Sequence, residues 1–329
     1  MQQQETVQQH PLKEILNGVA FVSFLLIASI NIPKIGWLCL CFIPLPILFY
    51  RFKLGKKNMM ILMTLTMLIG IQIYGGLTLN TLFIAEMLIL GSIMSELIQK
   101  KLSVDETILY TTGLLFLAVL FGLFYYSQVI STGIGTILFD SINAFSINFF
   151  KYMGMTDDKI SKIYQSIQSQ SIVYIWIQML PSLCISFLMI LSWLNLLAAR
   201  ALLQKHQLPF PDYGSLNCWK APDILVWGII ASGAFMLIPM NTFNILGCNM
   251  LIVLLVIYFF QGIAVMSFLF EKKNVSNPVR MLLYSFLVLY FNIVIIGIGL
   301  FDVWADFRKQ NPENNQPPDN LSGFPYDWF

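Results

Sequence analysis

"NTFNILGCNMLIVLLVIYFFQGIAVMSF", residues 241–268, carries no charged side chain. It is longer than the about 20 apolar residues that an α-helix needs to cross the hydrocarbon core of a bilayer. The rest of the chain has the same character, because 57% of its 329 residues are hydrophobic and only 11% are charged. A soluble domain carries about 25% charged residues, so the composition predicts an integral membrane protein.

Nine apolar segments are candidate membrane spans. They cover residues 14–31, 35–50, 58–75, 78–97, 106–127, 171–198, 222–240, 241–268 and 281–301. Pro44 and Pro46 each remove a backbone donor and kink a helix, so the first two segments form either two full spans or a re-entrant hairpin. The sequence therefore predicts an all-α, polytopic transmembrane helical bundle of eight or nine spans. We expect one integral membrane domain over residues 1–329, with polar tails at 1–13 and 303–329.

The positive charges predict the orientation of this bundle. With nine spans and a cytoplasmic N-terminus, thirteen Lys and Arg side chains fall on the inner side and six on the outer side. Cytoplasmic loops of membrane proteins carry the excess of positive charge. We therefore expect "RFKLGKK", residues 51–57, to be cytoplasmic and residues 302–329 to be extracytoplasmic.

The connection over residues 128–170, between the fifth and sixth predicted spans, is too long to be a turn. Apolar residues recur at helical spacing in its first half, at Leu138, Ile142, Phe145 and Phe149. Thr156 then has the character of an N-cap, with two aspartates in the following turn. The pattern predicts an amphipathic helical hairpin on the outer membrane surface, and it serves either as a lid over a cavity or as an interfacial filler.

A dense polar signature opens the segment "CWKAPDILVWGIIASG", residues 218–233. Pro222 suits the first position of a helix, and Asp223 then meets the positive end of the helix dipole. Trp219 and Lys220 suit the headgroup layer, so anchoring explains the cluster without any chemistry. The alternative is a docking platform for a partner, formed on the cytoplasmic side by Trp219, Lys220, Asp223 and Arg200.

Polar side chains inside predicted spans are candidates for a binding site. Glu86 lies near the midplane of the fourth span, where an unpartnered charge costs about 2.5 to 3.5 kcal/mol. It is either a proton relay, cation partner or substrate contact, or a protonated carboxyl bonded to a neighbouring helix. Four amides in other spans are predicted to line a polar cavity with it, although each alone also suits helix packing: Asn195, Asn249, Gln261 and Asn292.

The stretch "FDVWADFR", residues 301–308, places Asp302 and Asp306 four residues apart, with Arg308 two residues further on. We predict an outer ion-pair group that includes these three residues and a residue of the hairpin such as Lys151 or Lys159. A calcium site is disfavoured, because Ca²⁺ takes about six to eight oxygen ligands. Acid–base catalysis by the two carboxylates is the remaining alternative.

Signatures of enzymes and cofactors are missing from the sequence. "LGKK", residues 54–57, lacks the upstream glycine and the Ser or Thr of a phosphate-binding loop. The two histidines lie outside the predicted spans, so no zinc site is expected. We expect no enzyme activity, cofactor or metal, although a lipid-modifying membrane enzyme stays conceivable. The net charge of +2 is too small to indicate a nucleic-acid partner.

Three motifs in the C-terminal half resemble a known family. They are "WKAPDILVWGIIASG" at 219–233, "YFFQGIAVMSFLF" at 258–270 and "GIGLFDVWADFR" at 297–308, and "LNLLAARALLQ" at 194–204 fits the same pattern. Together they resemble the YybS-like family of bacterial inner-membrane proteins, which has no settled biochemical activity. That family is likened in fold to the substrate-binding membrane subunits of energy-coupling-factor vitamin transporters, which typically have fewer spans than predicted here.

The resemblance implies a multi-pass protein of the bacterial cytoplasmic membrane. Combined with the intramembrane polar groups, it favours a transport-type component that binds or translocates a small molecule and relies on a separate ATPase. The alternative is a non-catalytic membrane scaffold that docks partner proteins on its cytoplasmic face. The expected partners are the lipid bilayer, a small-molecule ligand, and a cytoplasmic or membrane protein.

Overall fold

The computed structural model describes residues 11–32, 36–166 and 169–308, and within these ranges all regular structure is helical. The tails at residues 1–10 and 309–329 lie outside the described residues. The helices are α1 (Pro11–Asn31), α2 (Trp37–Leu40), α3 (Pro44–Leu54), α4 (Lys56–Ile73), α5 (Leu79–Gln99), α6 (Val104–Val129), α7 (Ile134–Tyr152), α8 (Asp157–Ser166), α9 (Ser169–Lys205), α10 (Leu225–Leu237), α11 (Asn241–Lys272), α12 (Asn277–Tyr290) and α13 (Asn292–Ala305). The predicted all-α class is confirmed.

The chain forms two compact units. The N-terminal unit contains residues 1–178 and 187–211, and the C-terminal unit contains residues 179–186 and 212–329. The long helix α9 contributes to both units. A division into compact units does not decide whether the chain is one domain or two, so the single integral membrane domain stays a prediction.

Five of the described helices are long and apolar enough to cross a membrane, and a bent pair makes a possible sixth. The five are α1, α5, α6, residues Val173–Lys205 of α9, and α11. In the bent pair, α12 and α13 meet at an angle of 100°. The predicted count of eight or nine spans is therefore not confirmed.

Four predicted spans differ from the observed helices, and three of them do so for local reasons. Residues 35–50 are split between α2 and α3, and prolines occupy the start of α3. The helix α4 begins with two lysines and contains further polar residues, which lower its apolar content. The helix α10 has only 13 residues, about 20 Å, and residues 281–301 bend at Phe291.

The core of the N-terminal unit forms around α5, which packs against α3, α4 and α6. Thr78 and Ser103 cap α5 and α6, and each forms a reciprocal capping box with the residue three positions on. Gly91 lets α3 approach closely, because a Cβ there would lie 2.6 Å from the Pro44 carbonyl oxygen. The side chains of Ile84, Met87 and Met94 are fully buried between these helices.

The two helices predicted between spans are present as α7 and α8. An ion pair joins the end of the first to the start of the second, with 2.9 Å between Lys151 Nζ and Asp157 Oδ1. Phe145 and Phe149 stack on each other and are exposed. The predicted arrangement of a hairpin on the outer membrane surface is not confirmed.

In the C-terminal unit, α10 and α13 both pack on α11. Backbone lies directly on backbone where α13 crosses α11, at Gly262 and Gly299. A Cβ on Gly262 would lie 2.0 Å from the Ile295 carbonyl oxygen, and one on Gly299 would lie 2.0 Å from the Tyr258 carbonyl oxygen. Only glycine permits this crossing, which brings the end of α13 against the middle of α11.

Candidate functional site

A buried ion pair closes the end of α13. Arg308 Nη2 lies 2.6 Å from Asp302 Oδ2, and each side chain is only 1% exposed. Asp306 makes this possible, since it adopts a left-handed conformation (φ 40°, ψ 62°) that turns the chain back. Aspartate adopts the left-handed backbone conformation more readily than most residues do. The backbone N–H of Phe307 also donates to Asp302 Oδ1 at 3.1 Å.

The guanidinium of Arg308 also holds the polar loop that precedes α10. Its Nη1 donates to the carbonyl oxygens of Asn217 at 3.1 Å and Trp219 at 2.6 Å. Charge-assisted hydrogen bonds of this kind are roughly twice as strong as neutral ones. The arginine therefore fixes the course of the loop as well as compensating the carboxylate of Asp302.

Gln261 of α11 completes this group. Its Nε2 donates to Asp302 Oδ2 at 3.0 Å, and its Oε1 accepts from the backbone N–H of Ala221 at 3.2 Å. The side chain is fully buried. Gln261, Asp302 and Arg308, together with the loop backbone at residues 217–221, are hereafter the clasp. The oxygen and the nitrogen of the Gln261 amide are both bonded inside the clasp, so Gln261 acts as a structural bridge.

The clasp corrects the predicted topology. The sequence placed residues 199–223 inside and residues 302–308 outside, separated by about 30 Å of hydrocarbon. A hydrogen bond of 2.6 Å between Arg308 and Trp219 cannot cross that distance. Residues 217–219 and Arg308 therefore lie on the same side, and the prediction that Asp302 lies outside, opposite an inner loop at these residues, is wrong.

The partners of the predicted outer ion-pair group also differ from expectation. Asp302 pairs with Arg308 six residues along the chain, whereas Lys151 pairs with Asp157. Asp306 is exposed at the turn, and among the described residues it forms no ion pair. Helical spacing suggested two carboxylates on one face, but the helix ends at Ala305.

The residues predicted to form a docking platform are distributed over both units. Lys220 and Asp223 form an exposed ion pair of 3.1 Å across one turn of the loop. Such exposed pairs contribute little, about 0 to 1 kcal/mol. Trp219 is half-buried, while Arg200 is half-buried on α9 in the N-terminal unit.

Asn249 bonds to the backbone of α9 next to a proline. Pro181 lies inside that helix, where its ring disturbs the regular hydrogen bonding of the preceding turn. The side-chain Oδ1 of Asn249 accepts from the backbone N–H of Ser182 at 3.1 Å. Its Nδ2 donates to the Ile245 carbonyl oxygen at 2.9 Å. The amide therefore serves helix packing.

Asn195 and Asn292 have different surroundings. Asn195 is buried in the N-terminal unit, where its Nδ2 donates to the carbonyl oxygens of Cys41 at 3.1 Å and Leu191 at 2.9 Å. Asn292 is exposed at the bend between α12 and α13. Along α11, Asn249 and Gln261 are separated by about 18 Å of helix rise. The amides of the C-terminal unit therefore do not meet around one cavity.

Glu86 differs from all four amides. Its side chain is half-buried on α5, about 10 Å of helix rise from Leu79 and about 20 Å from Gln99. Within the part of the chain that the structure describes, no hydrogen bond or ion pair reaches its carboxyl group. It remains the strongest candidate for contact with a ligand.

The neighbours of Glu86 on α5 show which helices flank it. Leu82, one turn before it, is the nearest side chain to Gly122 of α6, where a Cβ would meet only that leucine, at 3.9 Å. Phe83 packs against Phe187 of α9, with ring centroids 6.4 Å apart. Glu86 therefore lies on the face of α5 between the residue that reaches α6 and the residue that reaches α9.

Sequence reasoning missed one residue that belongs to the clasp region. Asn217 is buried and donates through Nδ2 to Glu271, which also lies 3.7 Å from Arg280. No spacing rule connects these positions. The only local signal was the density of polar residues beside Trp219, which indicated an anchored loop without naming its partners.

Metal binding finds no support among residues 11–32, 36–166 and 169–308, where no three His, Cys, Asp or Glu side chains come together. None of the five cysteines forms a disulfide bond. The expectation that the protein is not an enzyme stays a prediction.

This chain has several long apolar helices and a strongly hydrophobic composition. A protein-family model covers nearly all of these helices. The model, described as predicted membrane protein (DUF2232), matches residues 19–303. The chain belongs to this family. No curated protein and no solved structure matches the chain. The membrane class predicted from the composition is thereby confirmed at the level of the family.

Proposed function

We propose that this protein is a transport-type membrane component that binds or translocates a small molecule and has no ATPase of its own. The observation that carries the proposal is the carboxyl group of Glu86, half-buried within an apolar helix and without a protein partner among the described residues. An intramembrane ionisable residue that is unpaired marks a substrate or ion pathway more often than a structural site.

Energetics supports this role. An unpartnered charge at the centre of a bilayer costs about 2.5 to 3.5 kcal/mol, which a purely structural residue would not repay. A ligand that supplies a hydrogen-bond donor or a positive charge removes most of that cost. The binding site we propose lies between α5, α6 and α9, and the amides at positions 195, 249, 261 and 292 are no longer included in it.

The resemblance to YybS-like proteins is consistent with this function. It supports a location in the bacterial cytoplasmic membrane, and the likeness of that family to vitamin-transporter subunits suggests a separate ATPase. By the positive-inside rule we assign residues 199–223 to the cytoplasm, and the clasp then brings residues 302–308 to the same side. This moves Arg308 from the side that is poor in positive charge to the side that is rich in it.

The test is mass spectrometry of small molecules that co-purify with the protein. We expect a specific molecule to be retained by the wild type and lost from Glu86→Gln, which keeps the size of the side chain and removes its charge. Glu106→Gln is the matched control, because Glu106 belongs to a capping box in which glutamine also functions. Equal retention by both variants would rule out a carrier site at Glu86.

A second candidate function is a scaffold that docks a partner protein through the loop at residues 217–223. The observation in its favour is that the clasp fixes the loop backbone while Lys220 and Asp223 stay exposed. The test is recovery of partners with tagged protein. We expect Lys220→Glu to lose partners that Lys205→Glu, on α9, retains. Identical recovery from both variants would exclude this loop as a docking surface.

A further inference from the structure

Two separate basic segments of the N-terminal unit come together in space. Arg51 Nε lies 3.0 Å from Glu96 Oε1, and Arg51 Nη2 donates to Gln99 Oε1 at 2.8 Å. Lys56 Nζ lies 3.7 Å from the same glutamate oxygen. These contacts bring residues 51–57, at the junction of α3 and α4, beside the end of α5, where Lys100 and Lys101 follow.

The resulting surface carries more positive charge than its acidic neighbours neutralise. Its members are Arg51, Lys53, Lys56, Lys57, Lys100 and Lys101, and we name it the basic patch. Glu96 is shared by Arg51 and Lys56, while Glu14 pairs with Lys53 at 2.8 Å. Asp105 and Glu106 lie at the N-terminus of α6, where Glu106 is engaged in a capping box.

Three lysines of the basic patch remain free to bind a ligand. Lys57, Lys100 and Lys101 are exposed, and among the described residues none of them forms an ion pair. Lys101 adopts a positive φ of 56° where the chain leaves α5. Repulsion between these like charges costs free energy, and an anion that binds between them relieves it.

The position of the patch relative to apolar side chains indicates what that anion is. Met60 and Ile61, 54% and 48% exposed, lie one turn after Lys57 on α4, so the lysine lies next to an exposed apolar surface. The methylene stem of lysine packs along such a surface while the amine reaches the headgroup layer. A soluble anion would bind equally well far from apolar side chains, whereas a lipid headgroup must lie at this level.

We propose that the basic patch binds the phosphate of anionic phospholipid headgroups in the leaflet that it faces. Clusters of four to eight Lys and Arg beside a membrane helix have this chemistry, and each is worth about a fivefold gain in affinity. Removal of three unpaired lysines should therefore weaken binding about a hundredfold. This proposal is independent of the Glu86 site.

The experiment compares two triple variants by native mass spectrometry in detergent, with phosphatidylglycerol and phosphatidylcholine as probes. One is Lys57→Gln, Lys100→Gln and Lys101→Gln. The control is Lys151→Gln, Lys159→Gln and Lys162→Gln, which removes the same charge from exposed positions on α7 and α8 of the same unit, although Lys151 is paired with Asp157. Size-exclusion chromatography verifies that both variants are folded.

We expect the wild type and the control to bind phosphatidylglycerol at least tenfold more tightly than phosphatidylcholine, with the preference falling as salt rises. The patch variant should bind both lipids about equally. The proposal is overturned if the ratio of the two affinities, for phosphatidylglycerol and for phosphatidylcholine, is the same in all three proteins. A patch variant that keeps its lipid preference but loses binding to polyglutamate also overturns it, and assigns the patch to an acidic protein segment instead.

Discussion

Gly299→Ala tests whether the crossing of α13 over α11 determines the structure of the C-terminal unit. The new methyl group would lie 2.0 Å from the Tyr258 carbonyl oxygen and 2.7 Å from the Gly262 nitrogen. Both atoms belong to the backbone of α11, so no side chain can rotate away. Ordinary contact begins at 3.4 Å, and α13 must therefore retreat by about 1.4 Å.

The cost of that retreat follows from the contacts it breaks. Overpacking costs about 1 to 3 kcal/mol. The same movement takes the 3.0 Å contact between Gln261 and Asp302 out of hydrogen-bond range, and a bond to a charged group is worth about 1.5 to 3 kcal/mol. Alanine returns about 1 kcal/mol through its higher helix propensity. We expect a net loss of about 1.5 to 5 kcal/mol from the free energy of unfolding.

Gly297→Ala is the matched control on the same helix. A Cβ there would meet nothing within 4 Å, so only the gain in helix propensity remains. The measurement is reversible unfolding of purified protein in mixed detergent micelles, followed by circular dichroism. Gly297→Ala should unfold at the same or a higher denaturant concentration than the wild type. If Gly299→Ala unfolds together with the Gly297 variant, the backbone crossing does not exist in the membrane protein.

The clasp gives two further predictions. Arg308→Ala leaves Asp302 buried without its cation and should destabilise the protein by about 3 to 5 kcal/mol in the same unfolding assay, whereas an unchanged midpoint would show that the pair is not buried. In a background without native cysteines, Cys at Ser215 and at Ala305 should react with an impermeant thiol reagent from the same side of the membrane. Cys at Met240 should react from the other side, because α11 spans about 48 Å, and labelling of Ala305 together with Met240 would contradict the clasp.

The sequence alone was sufficient for the membrane class and for the five longest apolar helices. A run of about 20 apolar residues needs no partner to be recognised, because lipid selects it by transfer free energy and the helix satisfies its own backbone groups. The position at which α6 begins is also set by local sequence, because Ser103 and Glu106 form a capping box within one turn. The sequence also showed that Glu86 is an ionisable residue in the middle of an apolar segment.

Tertiary structure decided the remaining features. No proline or glycine near Phe291 announces the 100° bend between α12 and α13, and the bend follows from the way α13 lies on α11 at Gly262 and Gly299. Amides inside apolar segments look alike in sequence, yet Gln261 is buried and bridges the clasp whereas Asn292 is exposed. Arg308 and Trp219 are far apart in the chain, so a charge count placed them on opposite sides. Which polar groups meet depends on long-range packing, and a pattern read along one chain does not contain that information.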